Sequence, residues 1–210
     1  MAPNGEGSDA SGEAMLLNDL FPISSLSSVS KRGALVRYYG IYKDIHINFV
    51  WPGKDSNLGV DSIGTVSASV VTYAAIQALQ PDLIINAGTA GGFKAKGASI
   101  GDVYLVSDVA FHDRRIPIPV SFDLYGVGLW QAYSTPNLLK DLNLKGAAVA
   151  YVADLLKVPA IFVKAVTDIV DGDKPTAEEF LQNLAAVTAA LDRGITQVVA
   201  VINGKSFAEL

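Results

Sequence analysis

Pro81-Asp82-Leu83-Ile84-Ile85-Asn86-Ala87-Gly88-Thr89-Ala90-Gly91-Gly92-Phe93 reads as a short apolar strand running into a turn of small residues. Leu83 to Ile85 supply the strand, and one hydroxyl, Thr89, stands in the middle of the turn. No bulky side chain there keeps a ligand off the main chain. Glycine admits backbone angles that other residues resist, and successive N–H groups can converge on a bound polar group. The pattern suggests a ligand cradle at the carboxyl end of a buried strand, where open α/β sheets place their sites. A turn that only folds the chain back is the plainer alternative, and the run itself leaves both open. It is neither a dinucleotide fingerprint nor a phosphate loop: G-x-G-x-x-G is absent, and no Gly-Lys-Ser/Thr follows.

Working outward, residues 35–42 and 45–51 are rich in β-formers with Lys43-Asp44 between them, as in a hairpin. From about Val60 to Leu79 small and apolar residues dominate, and Val66, Val70, Tyr73 and Gln77 mark the faces of a helix. Residues 102–110 read as one strand and 146–157 as a small-residue helix. Pro159 to Thr167 is a continuous apolar run, the mark of a strand buried on both faces. Thr176-Ala177-Glu178-Glu179, with Pro175 before it, has the form of a capping box. Phe180, Leu184, Val187 and Leu191 follow at helical spacing, and a separate last helix is expected over about Ile195 to Ile202. The serine-rich residues 24–33 read as a loop, in which Val29 fits a frayed strand. Prolines and aromatics in 113–137 mark a long loop of the kind that borders a site or an interface. Alternating strands and helices predict an α/β sandwich of three layers.

Composition narrows the function. With 210 residues, 50% hydrophobic and 18% charged, the chain can bury one sizeable core. Residues 1–20 read as a disordered tail and 21–210 as a single domain. A formal net charge of -5 and a pI of about 4.9 argue against nucleic acid as a partner. Small molecules or proteins are expected instead. The absence of cysteine excludes disulfides, thiolate nucleophiles and cysteine-based zinc sites. Only His46 and His112 could serve a Ser-His-Asp triad, and no G-x-S-x-G elbow exists. A histidine-rich metal site is not expected either. No apolar run reaches the ~18–20 residues that span a bilayer. The first residues lack the basic start and apolar centre of a secretory signal, so a cytoplasmic protein without membrane contact is expected.

A second chemical feature ends the second buried strand: Lys164-Ala165-Val166-Thr167-Asp168-Ile169-Val170-Asp171-Gly172-Asp173. Asp168 lies in an apolar neighbourhood on a strand entering a turn. Partial burial raises a carboxyl pKa, and Asp171 and Asp173 add like charge that pushes the same way. A carboxyl held partly protonated near neutrality can act as a general acid. Asp168 could equally cap a turn, and the residues alone do not choose. Asp171 and Asp173 read as solvated.

The runs Asn86 to Phe93, Gly101-Asp102-Val103 and Ala165-Val166-Thr167-Asp168 resemble the nucleoside phosphorylase superfamily, and within it the plant 5′-methylthioadenosine nucleosidases. His112 to Pro119, Phe122 to Gly128 and Asp171 to Asn183 match that plant branch, and the likeness covers about residues 35–210 in two blocks. The resemblance implies an α/β/α sandwich around a mixed sheet, working as a homodimer. It implies hydrolysis of the N-glycosidic bond of 5′-methylthioadenosine to adenine and 5-methylthioribose in methionine salvage. S-adenosylhomocysteine is a further substrate of some members, and neither metal nor redox cofactor is needed. It assigns Asp168 to donate a proton to the N7 side of the departing purine. Thr89, flanked by Gly88 and Ala90, is assigned to bind near adenine and ribose.

In two places the chain departs from the family's pattern. Members begin with a first strand and, just after it, a glutamate that activates the attacking water. Here Pro22-Ile23-Ser24-Ser25 resembles the approach to that strand, but Leu26 to Arg32 leads to Leu35 with neither strand nor glutamate. Members also carry a Met-Glu pair directly before Gly-Ala-Ala, whose glutamate holds the ribose hydroxyls, whereas Lys145 meets Gly146 directly. The sandwich is thus expected to be incomplete by two segments. The alternative reading is a catalytically impaired, truncated isoform that binds nucleoside or an intact nucleosidase subunit. A phosphate-dependent phosphorylase ranks last, because Arg114-Arg115 is the only arginine pair to gather around phosphate.

Overall fold

A computed structural model describes residues 27–32, 35–55, 57–111, 129–131, 147–206 and 209. In chain order the elements are β1 (Ser27–Arg32), β2 (Leu35–Tyr42), β3 (Ile45–Trp51), α1 (Thr65–Leu79), β4 (Ile84–Gly92), β5 (Val103–Leu105), β6 (Asp108–Ala110), β7 (Leu129–Gln131), α2 (Ala147–Leu155), β8 (Ala160–Ile169) and α3 (Thr176–Ile202). A short 3-10 turn follows β4 at Lys94–Lys96.

Everything that matters for the site is organised on β8. Its apolar, β-branched sequence suits a strand covered on both faces, and Ala160 to Thr167 are all buried. It lies in the middle of a sheet of order β4-β8-β5, parallel to β4 and antiparallel to β5, so the sheet is mixed. One face of β8 presents Ile161, Val163 and Ala165 to Val187, Leu191, Ile195 and Val199 of α3. The other presents Ala160 and Phe162 to Ala147, Val149, Ala150 and Ala153 of α2, with Ala68 of α1 behind. The period of two along the strand sorts side chains between two helical layers, which is the α/β/α sandwich. Alanines let α2 approach the sheet closely. On the other side Gly194 serves the same end, since a Cβ there would stand 2.8 Å from Val103 Cγ1. Full burial of a side chain such as Leu191 stabilises the fold by about 1.5–3 kcal/mol.

The hairpin of β2 and β3 turns at Lys43-Asp44 as expected, with Lys43 at φ 51. Tyr42, Ile45 and Ile47 join the core beneath α3. By length and composition alone α3 matches a membrane span, but its apolar stripe packs against β8.

Four expectations need correction. Residues 27–32 form β1, antiparallel to β2 with a bulge between Ser28 and Ser30. A strand therefore precedes Leu35, though no glutamate accompanies it; main-chain pairing with β2 outweighs the weak local signal of serine. Residues 102–110 are two strands in different sheets, because Val106 turns into the core under α2 and donates its N–H to Phe162 O at 3.0 Å. The two helices expected after Pro175 are one, since Gly194 fits against β5 rather than breaking the helix. Finally, the capping box does not form: Pro175 is the N-cap and no side chain caps it. The expected tail at 1–20, the 113–137 loop apart from residues 129–131, His112, Arg114 and Arg115 lie outside the described residues.

Candidate active site

β4 does not end at Ile85. It continues through Gly92, so Gly88, Thr89, Ala90 and Gly91 belong to the strand and not to a turn. The cause is the partner strand. Gly88 pairs with Lys164, Thr89 with Ala165 and Ala90 with Val166, which engages the main-chain groups on the β8 side in the ladder. Glycine is needed here for close approach. A Cβ on Gly91 would stand 2.7 Å from Val170 Cγ2 and 2.9 Å from Asp168 Oδ2, and one on Gly88 would stand 2.9 Å from Lys164 Nζ.

After Ala90 the register shifts. Gly91 pairs with Asp168, which leaves Thr167 as the extra residue of a bulge. Bulges re-aim side chains and recur beside active sites. Thr167 is buried and its Oγ1 donates to Asp168 Oδ1 at 2.8 Å. Asp168 itself is half-buried, next to last in β8. The main chain around it is tied down. Asn183 Nδ2 donates to Thr167 O at 3.1 Å, the Ile169 N–H donates to Glu179 Oε2 at 2.9 Å, and the Val170 N–H donates to Gly92 O at 2.8 Å.

Thr89 and Asp168 stand at the same rim, since β4 and β8 are parallel. The pleat puts Thr89 on the face of Gly91, over which the Asp168 carboxylate lies. With strands ~4.8 Å apart and a rise of ~3.3 Å per residue, their Cα atoms are separated by roughly 8 Å. A hydroxyl and a carboxylate so placed can engage two parts of one small molecule. Gly88 and Ala90 lie on the opposite face with Lys164 and Val166, so the structure does not bring them to the Asp168 face.

Two other acidic residues, Asp171 and Asp102, brace turns around the site. Asp171 is exposed but not merely solvated: it accepts the N–H groups of Lys94 at 2.6 Å and Ala95 at 2.9 Å. The Ala95 bond foremost holds its carboxyl below the usual range. Asp102 accepts from the Ser99 N–H and the Tyr104 O–H, each at 2.8 Å, and its carbonyl takes the Val166 N–H at 2.9 Å. Burial, reinforced by Asp102, pushes the Tyr104 phenol up to about 12. Gly101-Asp102-Val103 thus braces β8 just before the bulge. Among the described residues no group of three or more His, Asp or Glu side chains is placed to hold a metal ion.

The local sequence does not mark Lys164, Thr167, Glu179 or Asn183 as parts of the site. Lys164 is 6% exposed and donates to Asn86 Oδ1 at 2.8 Å; a lone lysine inside an apolar strand was the available signal. Nothing local marks Thr167 as bulged.

Known proteins bear on this geometry. The profile of the Phosphorylase superfamily matches residues 7–142. The 5′-methylthioadenosine nucleosidase of Arabidopsis thaliana is 57% identical over 231 residues, which cover 94% of this chain and 86% of that protein. The chain belongs to the 5′-methylthioadenosine nucleosidase family. A second A. thaliana member, a 5′-methylthioadenosine/S-adenosylhomocysteine nucleosidase, is 58% identical over 83% of this chain and 81% of its own length. The apo structure of the A. thaliana 5′-methylthioadenosine nucleosidase superposes with a TM-score of 0.86 at 54% identity, covering 95% of both chains. The 231 aligned positions of the first relative exceed the 210 residues of this nucleosidase-family chain, so that relative carries internal residues with no counterpart here.

Proposed function

We propose that this chain hydrolyses the N-glycosidic bond of 5′-methylthioadenosine to adenine and 5-methylthioribose, a step of methionine salvage, and that S-adenosylhomocysteine is a second substrate. Family membership supplies the reaction class. The observation that carries the mechanism is the carboxylate of Asp168 on the face of Thr89 at one rim of the sheet. As the glycosidic bond breaks, the ribosyl carbon becomes cationic and negative charge builds on the departing adenine. A proton delivered to the N7 side removes that charge. The Thr167 hydroxyl occupies Asp168 Oδ1, so Oδ2 is the oxygen left to carry the proton. Gly91 keeps the space beside Oδ2 free of a side chain. Thr89 holds the nucleoside near adenine and ribose; water adds to the ribosyl carbon and releases one proton to solvent, from which the Asp168 carboxylate regains the proton it gave to adenine.

Incubating the purified chain with methylthioadenosine and following adenine by chromatography tests this. Adenine release that does not depend on phosphate is expected, whereas a phosphate requirement would indicate a phosphorylase. No adenine above the level of Asp168→Asn would refute the activity. The residues of the relative that lack a counterpart here favour one further reading, a slow or inactive isoform that binds nucleoside or an intact nucleosidase subunit. A mixed dimer on co-expression with an intact relative, without adenine release by this chain alone, would establish it.

The working unit in this proposal is a cytoplasmic homodimer. Val66, Val70 and Tyr73 form one stripe of α1 and are 76%, 60% and 51% exposed, with Ile63 exposed just before them. Thr65–Leu79 contains no charged residue, so two copies of this face can meet without burying charge. Sedimentation should show a dimer that Val70→Glu converts to monomer.

A further inference from the structure

We infer that Glu179 and Asn183 are positioning residues that aim the Asp168 carboxylate, an assignment that rests on the acid role proposed for Asp168. Asp168 occupies a place where a strand is poorly held: after a bulge, one residue from the strand's end. A proton donor must be fixed to about 0.5 Å for its reaction, and an error near 1 Å can cost 10²-fold in rate. The two peptide units flanking the Asp168 Cα provide that precision. The preceding unit is held through its carbonyl, Thr167 O, by Asn183 Nδ2 at 3.1 Å. The following unit is held through its N–H, from Ile169, by Glu179 Oε2 at 2.9 Å.

Both anchors come from α3, four residues apart, and so lie one above the other on a single helix face. They are linked to each other, because Asn183 Nδ2 also donates to Glu179 O at 2.8 Å. Glu179 is 8% exposed, and an acidic group that deep is retained only with a hydrogen-bond partner. Its partner is not its own helix, whose N-terminus carries no side-chain cap. The capping-box glutamate reaches across to the strand end instead. The clamp sets the φ and ψ of one residue, Asp168, from both sides. Among the described residues, no hydrogen bond joins either anchor to Thr89 on β4.

The test compares Glu179→Ala, Glu179→Gln and Asn183→Ala with the full wild-type chain. Two substrates are used: methylthioadenosine, and 4-nitrophenyl 5-methylthioriboside, whose 4-nitrophenolate leaving group departs without a proton. Glu179→Ala is expected to lower kcat for methylthioadenosine by about 10–100-fold with KM within about 3-fold. On the nitrophenyl substrate it should stay within about 3-fold of wild type. Glu179→Gln keeps an acceptor for the Ile169 N–H and should restore most of the loss, and Asn183→Ala should show the smaller defect. Added to Asp168→Asn, Glu179→Ala should cost nothing further. Equal losses on both substrates, or a further loss in the Asp168→Asn background, would mean a merely structural role and overturn the clamp. A wild-type chain that releases no adenine overturns the nucleosidase reading, and the aiming role with it. Amide exchange at Ile169 still reads the clamp in that event: unchanged exchange in Glu179→Ala says the bond is not made, and faster exchange says that it is.

Discussion

β4 and β8 run parallel, lie side by side and end at one rim, yet they are built for opposite purposes. β8 carries bulky apolar residues, is buried from Ala160 to Thr167, pairs on both edges and is gripped at its end by α3. β4 carries Asn86-Ala87-Gly88-Thr89-Ala90-Gly91-Gly92, stays half-buried up to Gly91 and gives way wherever β8 needs space. The carboxylate sits on the strand that is paired on both edges and anchored by α3. The hydroxyl sits on the strand that makes room. A proton transfer depends on position within fractions of an ångström, whereas holding a nucleoside first requires an unobstructed surface.

Among changes to β4, removing its room should do the most damage. Gly91→Ala places a Cβ 2.7 Å from Val170 Cγ2 and 2.9 Å from Asp168 Oδ2. Overpacking of this kind costs about 1–3 kcal/mol, and displacement of the carboxylate is expected to lower kcat by up to about 100-fold. Gly88→Ala meets the buried Lys164 ammonium, which Asn86 holds on the face away from Asp168, so it should cost stability but leave kcat within about 3-fold. Steady-state adenine release by the two variants gives the comparison directly, and equal effects would erase the distinction between the two faces of β4. A smaller loss is expected from Thr89→Val, which keeps the shape and deletes the hydroxyl. A hydrogen bond contributes ~0.5–1.5 kcal/mol, so KM should rise by about 3–10-fold with kcat little changed.

The smallest effect concerns how β8 is braced from β5. The folded state raises the Tyr104 phenol from 10.0 to about 12, by burial first and then by Asp102. A raised pKa means the fold favours the protonated phenol. That contribution is complete below about pH 10 and is lost as pH climbs toward about 12. Urea midpoints should fall across that window and fall less in Tyr104→Phe. Asp171 has the opposite sign: its lowered carboxyl ties the turn after β4 to the end of β8 at neutral pH, and the tie weakens in acid.

The contrast between the strands also explains what could be read from the residues. The β2–β3 hairpin, α1 and the apolar body of β8 follow local periodicity and were legible. β4 beyond Ile85 was not, because glycine and alanine carry no strand signal and the partner that extends the ladder lies more than seventy residues away. The bulge at Thr167 arises from the same distant pairing. Glu179 had the right spacing for a cap, and only the position of Ile169 shows where its carboxylate goes. Asp168 stood out as a carboxyl closing an apolar strand. The roles proposed for it and for Thr89 rest on resemblance to the family; the geometry adds a carboxylate oxygen not engaged by Thr167 and a face shared across Gly91.

The proton donation proposed for Asp168 is tested most directly by kcat of wild type and Asp168→Asn on methylthioadenosine and on the 4-nitrophenyl analogue. General acid catalysis contributes about 10²–10⁴-fold, so Asp168→Asn should lose about that much with adenine as leaving group and less than about 10-fold with nitrophenolate. Equal losses on the two substrates, or full adenine release by Asp168→Asn, would contradict the account.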